Sequence, residues 1–169
     1  MGISNVPLYG RTQEQILSLI NLISWGEHYS VGHSGIDVQH KKIFDLGFSV
    51  YENWRDGGDI DLLYPKVEEL AVLLRAHFQY EESILSELEY EDLNDHAAEH
   101  QSMLKELETM QKTVKERLLQ TEKAQKFRGG SLLAPDWPVL QFFMGFAIWH
   151  VTYSDMRYRD ILPVNRRYR

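Results

Sequence analysis

The chain has 169 residues, of which 43% are hydrophobic and 25% are charged, with no cysteine and a net charge of −7. This length and composition are typical of one compact soluble domain with its own core. The absence of cysteine excludes disulfides, thiolate metal sites and a cysteine nucleophile, and it favours a reducing, cytoplasmic location. The acidic balance argues against nucleic-acid binding, which needs a basic face.

Neither the N-terminus nor the most apolar stretch predicts secretion or membrane insertion. The N-terminus lacks a basic region followed by an apolar run and a cleavage site. The segment VLQFFMGFAIW, residues 139–149, is too short to span a bilayer and is predicted to be a buried helix. The basic cluster NRRYR lies in a predicted tail, residues 163–169, which we interpret as exposed to solvent.

Five amphipathic helices are predicted in chain order, with almost no strand-like alternation. The first belongs to an N-terminal extension, residues 1–24, and its apolar stripe consists of Ile16, Leu19, Ile20 and Ile23. A glycine-rich segment follows, and Asp37 is expected to cap a second helix that ends near Trp54. After the break RDGGD, Pro65 is expected in the first turn of a third helix that ends near Ser86.

The fourth predicted helix follows the acidic stretch ELEYEDLND and extends as far as Arg128. A loop, RGGSLLAP, separates it from the fifth helix, which opens with Asp136 and Pro138 and is predicted to end before Pro163. Four long helices joined by short connections indicate an all-α, up-down four-helix bundle over residues 25–162. The N-terminal helix is an addition to this bundle.

Each of the four bundle helices places at least one histidine on its apolar stripe, because the spacings of three and four put these residues on one helix face. A buried imidazole, and still more a buried carboxylate, is costly unless it is paired, hydrogen-bonded or bound to a metal. Any one of these residues could be an ordinary core residue with a backbone hydrogen bond. Five imidazoles from four helices indicate a metal site instead. The candidates are His40, His77, Glu81, His96, His100 and His150.

Asp155, five residues after His150 in HVTYSD, is a weaker candidate by spacing. On a regular helix of about 100° per residue, an offset of five turns Asp155 about 140° away from His150. A π-bulge or a fraying turn could bring both side chains inward. The spacing alone does not select Asp155.

The kinds of side chain narrow the choice of metal. Five imidazoles and two carboxylates are too many for one tetrahedral zinc and too rich in nitrogen for calcium or magnesium. Imidazole with carboxylate suits iron, copper, nickel or zinc, with iron favoured but not fixed. Two metals bridged by the two carboxylates account for the set. The chain has no Glu-x-x-His, which argues against the di-iron carboxylate oxidases and ferritins.

The four ordered motifs resemble those of hemerythrins, specifically bacterial ones. They are DVQH ending at His40, HFQYE from His77 to Glu81, HAAEH from His96 to His100, and HVTYSD from His150 to Asp155. The segment that begins at Trp25 and includes the Val31–Gly32 turn also resembles the opening of that family. The resemblance covers residues from about 25 to 162.

This resemblance implies two Fe ions, Fe2+ or Fe3+, joined by an oxo or hydroxo bridge. The implied ligands are His96, His100 and His150 for one iron, His40 and His77 for the other, and Glu81 and Asp155 as bridges. By that assignment one iron is coordinatively closed and the other has one open position for O2. The implied function is reversible O2 binding for storage or delivery, without catalysis.

Two alternatives to a carrier remain open. The same site could be the oxygen- or redox-sensing input domain of a signalling protein, for example one linked to a cyclic-dinucleotide cyclase or a chemotaxis receptor. The N-terminal helix would then serve self-association or contact with a signalling partner. An enzyme that reduces peroxide or nitric oxide, or oxidises iron, would need a substrate route and proton donors, and no motif predicts them.

Other residues near the motifs receive weaker assignments. Phe44, Phe78 and Leu104 are candidates for the lining of an O2 pocket, although each could be plain core. Glu82, Glu99 and Asp45 are predicted to lie on solvated helix faces, and Asp37 is expected to act as a cap rather than as a partner of a ligand. His28 and His33 are interpreted as exposed loop residues.

Overall fold

The computed structural model describes residues 21, 23–120 and 134–163, which are mainly helical and form no β-strand within those ranges. Helix α1 spans Ser34–Arg55, α2 Ile60–Glu87, α3 Leu93–Gln120 and α4 Asp136–Gly145, and α4 continues as a π-helix over Phe146–Ser154. Short 3₁₀ turns lie at Glu27–Tyr29, Asp155–Arg157 and Arg159–Ile161. Most of the predicted N-terminal helix, the predicted extension of the fourth helix, most of the RGGSLLAP loop and nearly all of the basic tail lie outside the described residues.

The four helices pack as a bundle in which α2 contacts α1 and α3, and α4 contacts α1. Because short connections join α1 to α2 and α2 to α3, these neighbours run in opposite directions. The predicted all-α, up-down bundle is therefore confirmed. Within residues 21, 23–120 and 134–163, the helices contain no apolar stretch of the length that a membrane span requires.

The start of α2 differs from the prediction. Gly57 and Gly58 have φ angles of +124° and +68°, a conformation that favours glycine, and they reverse the chain after α1. The carboxylate of Asp59 then accepts a hydrogen bond of 3.0 Å from the backbone N–H of Asp61 and caps the helix. Pro65 consequently lies inside α2, and the prediction that it occupies the first turn is wrong.

The start of α1 also requires a correction. The N-cap is His33, whose Nδ1 accepts a hydrogen bond of 3.4 Å from the backbone N–H of Ile36. Asp37 lies within the first turn, and its carboxylate accepts a hydrogen bond of 2.9 Å from the backbone N–H of Val31. Asp37 is thus not the cap, and His33 is half-buried rather than an exposed loop residue. His28 is exposed, as predicted.

Two apolar clusters lie above and below the layer of histidines. The larger cluster fills the bundle and includes Val50, Leu63, Val67, Leu70, Leu74, Leu107 and Leu140. The smaller cluster consists of Val31, Ile36, Leu85, Tyr158 and Leu162. Along α1, His40 falls between Ile36 of the smaller cluster and Ile43 of the larger one. The polar site is therefore enclosed between two hydrophobic layers.

The far end of the bundle contains a buried carboxylate at the start of α4. Asp136 has no exposed surface, and the amide of Asn53 donates hydrogen bonds to its Oδ2 at 2.5 Å and to the carbonyl of Asp59 at 2.9 Å. These bonds connect α4 to the turn between α1 and α2. The prediction that Asp136 opens the last helix is confirmed.

Candidate metal centre

All seven side chains predicted as ligands converge in the layer between the two apolar clusters, and every one is buried. They form two groups in which the possible ligand atoms lie within 4.8 Å of one another. The groups are Glu81 with His96, His100 and His150, and Glu81 with His40, His77 and Asp155. We call them the three-histidine group and the two-histidine group. Glu81 belongs to both.

In the two-histidine group, ring nitrogens and carboxylate oxygens point to one place. The Nε2 atoms of His40 and His77 are 3.1 Å apart. Nε2 of His40 lies 3.3 Å from Oδ2 of Asp155, and Nε2 of His77 lies 3.2 Å from Oε2 of Glu81. Four protein atoms from three helical segments therefore surround a common point.

The three-histidine group repeats this pattern with the other oxygens of the same carboxylates. Nε2 of His100 and Nε2 of His150 are 2.9 Å apart. Nε2 of His96 lies 3.1 Å from Oε1 of Glu81, and Nε2 of His150 lies 3.3 Å from Oδ1 of Asp155. Each carboxylate thus presents one oxygen to each group, which is the arrangement needed to bridge two cations.

The distances and the unsatisfied atoms fit bound cations. Two atoms bound at right angles to an octahedral ion at about 2.1 Å are about 3 Å apart, which matches both Nε2–Nε2 pairs. Within the described residues, Oε2 of Glu81 and both carboxylate oxygens of Asp155 are buried without a hydrogen-bond partner. Buried carboxylate oxygens in this state are costly, and cations between the groups would compensate them.

The protonation of three of the five imidazoles also suits metal binding. Burial lowers the pKa of His40 to about 4, of His77 to about 3 and of His100 to about 2. These rings are therefore neutral near pH 7, and their Nε2 lone pairs are free to bind a metal.

The two carboxylates influence each other. Burial and the nearby charge of Glu81 raise the pKa of Asp155 well above its usual value. Burial also opposes ionisation of Glu81, but the hydrogen bond with His96 and the neighbouring imidazoles hold its pKa below the usual value. Positive charge between the two groups would allow both carboxylates to be ionised together.

The π-helix explains how Asp155 reaches the site. The backbone N–H of Asp155 donates to the carbonyl of His150, a hydrogen bond that spans five residues. In the same segment, Oγ1 of Thr152 donates to the carbonyl of Ala147 at 2.8 Å. Because a π-helix has more residues per turn than an α-helix, an offset of five is close to one turn. Asp155 therefore lies on the same face as His150.

Three side chains on the outer side of the imidazole rings were not assigned to the site by sequence. Oε1 of Glu82 lies 2.7 Å from Nδ1 of His100, and Oε1 of Gln39 lies 3.1 Å from Nδ1 of His77. Oε2 of Glu99 lies 3.5 Å from Nδ1 of His150. The prediction that Glu82 lies on a solvated face is therefore wrong, because Glu82 is partly buried, whereas Glu99 is exposed, as predicted. Asp45 is exposed, as predicted.

The sequence signal for these three residues was adjacency. Glu82 directly follows Glu81, Gln39 directly precedes His40, and Glu99 directly precedes His100. Adjacent residues on a helix point about 100° apart, so none of the three belongs to the apolar stripe that identified the ligands. Their role depends on which helix packs beside them, and one helix pattern does not predict that.

Aromatic rings of the larger apolar cluster pack against the imidazoles. Phe78 stacks on His100 with a centroid distance of 3.8 Å and an angle of 10°. Phe146 lies 5.9 Å from His40 and 6.2 Å from His77. Sequence reasoning missed Phe146, although it precedes His150 by four residues and so shares its helix face.

The three residues predicted to line an O2 pocket lie at different depths. Phe44 and Phe78 are buried, whereas Leu104 is only partly buried and packs against the larger apolar cluster. Phe44 lies one ring further from the imidazoles than Phe146, with 6.2 Å between the two ring centroids. Of the two predicted phenylalanines, Phe78 is therefore the one that stacks on an imidazole, and the second inner ring is Phe146, which was not predicted.

Tyr158 is a further residue that sequence reasoning missed. Its ring lies 5.6 Å from His96 at 90°, and burial raises the pKa of its hydroxyl. The hydroxyl has no hydrogen-bond partner among the described residues. Its position three residues after Asp155 was the only signal in the sequence.

Two comparisons with known proteins point to the same family. The family model "Hemerythrin HHE cation binding domain" matches residues 31–137. A bacteriohemerythrin of Clostridium acetobutylicum is 30% identical over 89 residues, which are 50% of this chain and 68% of that protein. No solved structure matches the chain. The matched range contains five of the seven residues of the site, and His150 and Asp155 lie beyond it.

Proposed function

Because the chain belongs to the hemerythrin family of non-haem iron, O2-binding domains, we propose that it binds O2 reversibly at a di-iron centre, for storage or delivery of oxygen. The proposed domain is the bundle of residues 25–162, and the proposed location is cytoplasmic, which the absence of cysteine favours. The proposed ligands are His96, His100 and His150 for one iron, His40 and His77 for the other, and Glu81 and Asp155 as bridges.

The observation that carries this proposal is the double contact of each carboxylate. Glu81 directs Oε2 to His77 and Oε1 to His96, at 3.2 and 3.1 Å. Asp155 directs Oδ2 to His40 and Oδ1 to His150, both at 3.3 Å. One cation would contact only one oxygen of each carboxylate. Two cations would contact all four oxygens.

The number of protein atoms differs between the two positions. The three-histidine group offers three ring nitrogens and two carboxylate oxygens, five atoms in all, whereas the two-histidine group offers two nitrogens and two oxygens, four in all. For six-coordinate ions that share one solvent-derived bridge, only the two-histidine position keeps a vacancy. A pair of bound ferrous ions would supply the electrons that reversible O2 binding requires.

The surrounding side chains favour a small neutral ligand. Phe78 and Phe146 pack directly against the imidazole rings. These rings exclude water and anions from the centre, and the apolar surroundings of a metal control such access. The close ring contacts favour a ligand as small as O2 over an organic substrate.

Optical spectroscopy tests this function. Reduced, iron-loaded protein mixed with O2 is expected to develop a visible absorption band that disappears under vacuum and returns with O2 through several cycles. A band that decays with formation of an oxidised product would favour the enzyme alternative. A change of oligomeric state with O2, measured by analytical ultracentrifugation, would favour the sensor alternative.

A further inference from the structure

We infer that Glu82 is a positioning residue for the three-histidine iron: its carboxylate fixes the ring of His100 and stabilises the ferric state of that iron. The inference rests on the proposed di-iron function. It adds to that function a difference in redox preference between the two irons, set by the outer hydrogen-bond partners of their imidazoles.

The ring of His100 is held on two sides, at Nδ1 and on one face. Oε1 of Glu82 lies 2.7 Å from Nδ1, which is a short, charge-assisted distance for an N–H donor to a carboxylate. Phe78 stacks on the face of the same ring at 3.8 Å. With Nδ1–H donated to Glu82, the proton is fixed on the outer nitrogen, and the Nε2 lone pair points to the metal position.

The partners of the other rings differ between the two groups. In the three-histidine group, Nδ1 of His150 faces a second carboxylate, that of Glu99, at 3.5 Å. In the two-histidine group, Nδ1 of His77 faces the neutral amide oxygen of Gln39 at 3.1 Å. Nδ1 of His40 is buried without a hydrogen-bond partner among the described residues. Nδ1 of His150 is likewise buried without a hydrogen-bond partner among the described residues. One hydrogen-bonded carboxylate, that of Glu82, thus lies on one side of the centre with the charge of Glu99 nearby, and a neutral partner lies on the other side.

This asymmetry has an electrostatic consequence. A carboxylate that accepts the outer N–H of a ligand imidazole makes that imidazole a stronger base. A stronger base, with a negative charge behind it, stabilises Fe3+ more than Fe2+. The three-histidine iron should therefore be oxidised more easily, and the two-histidine iron, which keeps the vacancy, should remain ferrous more easily.

The substitution Glu82→Gln separates charge from shape. The glutamine keeps an oxygen acceptor near Nδ1 of His100 and removes the negative charge. The matched control is Glu87→Gln, which removes one charge from an exposed position on the same helix. A converse variant, Gln39→Glu, adds a carboxylate beside His77.

Two readouts apply to iron-loaded protein: the midpoint potential from an optical redox titration, and the affinity for Fe2+ from competition with a chelator. We expect Glu82→Gln to move the potential to more positive values and to weaken iron binding by about 10- to 100-fold. Glu87→Gln should match the wild type, and Gln39→Glu should move the potential to more negative values. A merely structural role of Glu82 would not produce opposite shifts in the two variants.

The outcomes separate this inference from the proposed function. If wild-type protein takes up two irons and Glu82→Gln has the same potential and affinity as Glu87→Gln, the inference is overturned and the proposed function stands. If wild-type protein takes up no pair of irons, both are overturned. If circular dichroism shows that Glu82→Gln is unfolded, the same redox titration of Glu82→Asp tests the inference. Its shorter carboxylate should give a smaller positive shift, and an unchanged potential would overturn the inference.

Discussion

Glu81 is the residue shared by both groups of the candidate centre, since its two oxygens lie 3.2 Å from Nε2 of His77 and 3.1 Å from Nε2 of His96. The substitution Glu81→Ala removes one bridging oxygen from each metal position. We expect the variant to retain at most one iron per chain, measured by metal analysis after reconstitution. Glu87→Ala, at an exposed position on the same helix, is the control and should load like the wild type. Unchanged iron in Glu81→Ala would refute the ligand assignment.

For individual residues, helical spacing predicted His40, His77, Glu81 and the other histidine ligands. Ionisable groups on apolar stripes are rare unless they are paired or bound to a metal. Spacing did not select Asp155, since its orientation depends on a π-helix that the sequence pattern permitted but did not require. Glu82 was assigned to solvent because its contact with His100 arises only when α2 and α3 pack together. The sequence therefore predicted the candidate metal ligands better than it predicted the side chains that contact the Nδ1 atoms of those ligands.

Among the elements, the contact between α1 and α4 depends on Gly47. A Cβ atom at this position would lie 2.7 Å from Cδ1 of Phe143, whereas a Cβ at Gly145 would have no other heavy atom within 4 Å. We expect Gly47→Ala to lower the free energy of unfolding by about 1–3 kcal/mol. Gly145→Ala should leave it unchanged or raise it by up to about 1 kcal/mol, since alanine favours helix. Denaturant unfolding measures both, and equal stability of the two variants would contradict the packing.

The start of α4 should make stability depend on pH through Asp136. Burial raises its pKa from 3.8 to about 6, so the folded chain binds this proton at a higher pH than the unfolded chain does. The contribution to stability is therefore present below pH 4 and is lost as the pH rises through 6. The loss amounts to at most about 3 kcal/mol, because a difference of one between the folded and unfolded pKa corresponds to about 1.4 kcal/mol.

The variant Asp136→Asn removes this titration while keeping an oxygen that can accept from Asn53. Relative to the wild type, its free energy of unfolding should increase between pH 4 and pH 8, as measured by urea unfolding of iron-free protein. Asp160→Asn, at an exposed position, is the control and should show a constant difference across this range. A constant difference for Asp136→Asn as well would refute the raised pKa of Asp136.

Element boundaries were predicted less well than the elements themselves. The apolar periodicity of each helix is a signal summed over many residues, whereas a helix start depends on one cap. Asp59 rather than Pro65 sets the start of α2, and His33 rather than Asp37 sets the start of α1. In both cases the true cap directly follows a glycine with positive φ, Gly58 or Gly32.

For the whole molecule, folding and metal binding should be linked, because the seven side chains come together only in the folded bundle. If iron binds only to the folded state, a free iron concentration of 100 times the dissociation constant adds about 2.7 kcal/mol to the free energy of unfolding. For a chain of this size the midpoint of thermal unfolding should fall by roughly 5–10 °C when a chelator removes the iron. Scanning calorimetry with and without iron measures this difference. Identical midpoints would mean that the metal contributes nothing to the fold.

The bundle as a whole could be predicted because four amphipathic patterns with short connections admit few arrangements. The position of the site inside the bundle could also be predicted, since the histidines lie at corresponding positions on the apolar stripes of the four helices. The relation of the N-terminal extension to this bundle was not predictable, because an apolar stripe does not specify what covers it. Ile23, at the end of that stripe, is buried in the larger apolar cluster.

Five imidazoles and two carboxylates are proposed to hold a pair of irons inside one chain. This proposal is tested by the iron content per chain after anaerobic reconstitution with Fe2+ and removal of loosely bound metal. The proposed site should retain two irons per chain. Retention of one iron, or of none, by protein that is fully folded would contradict it.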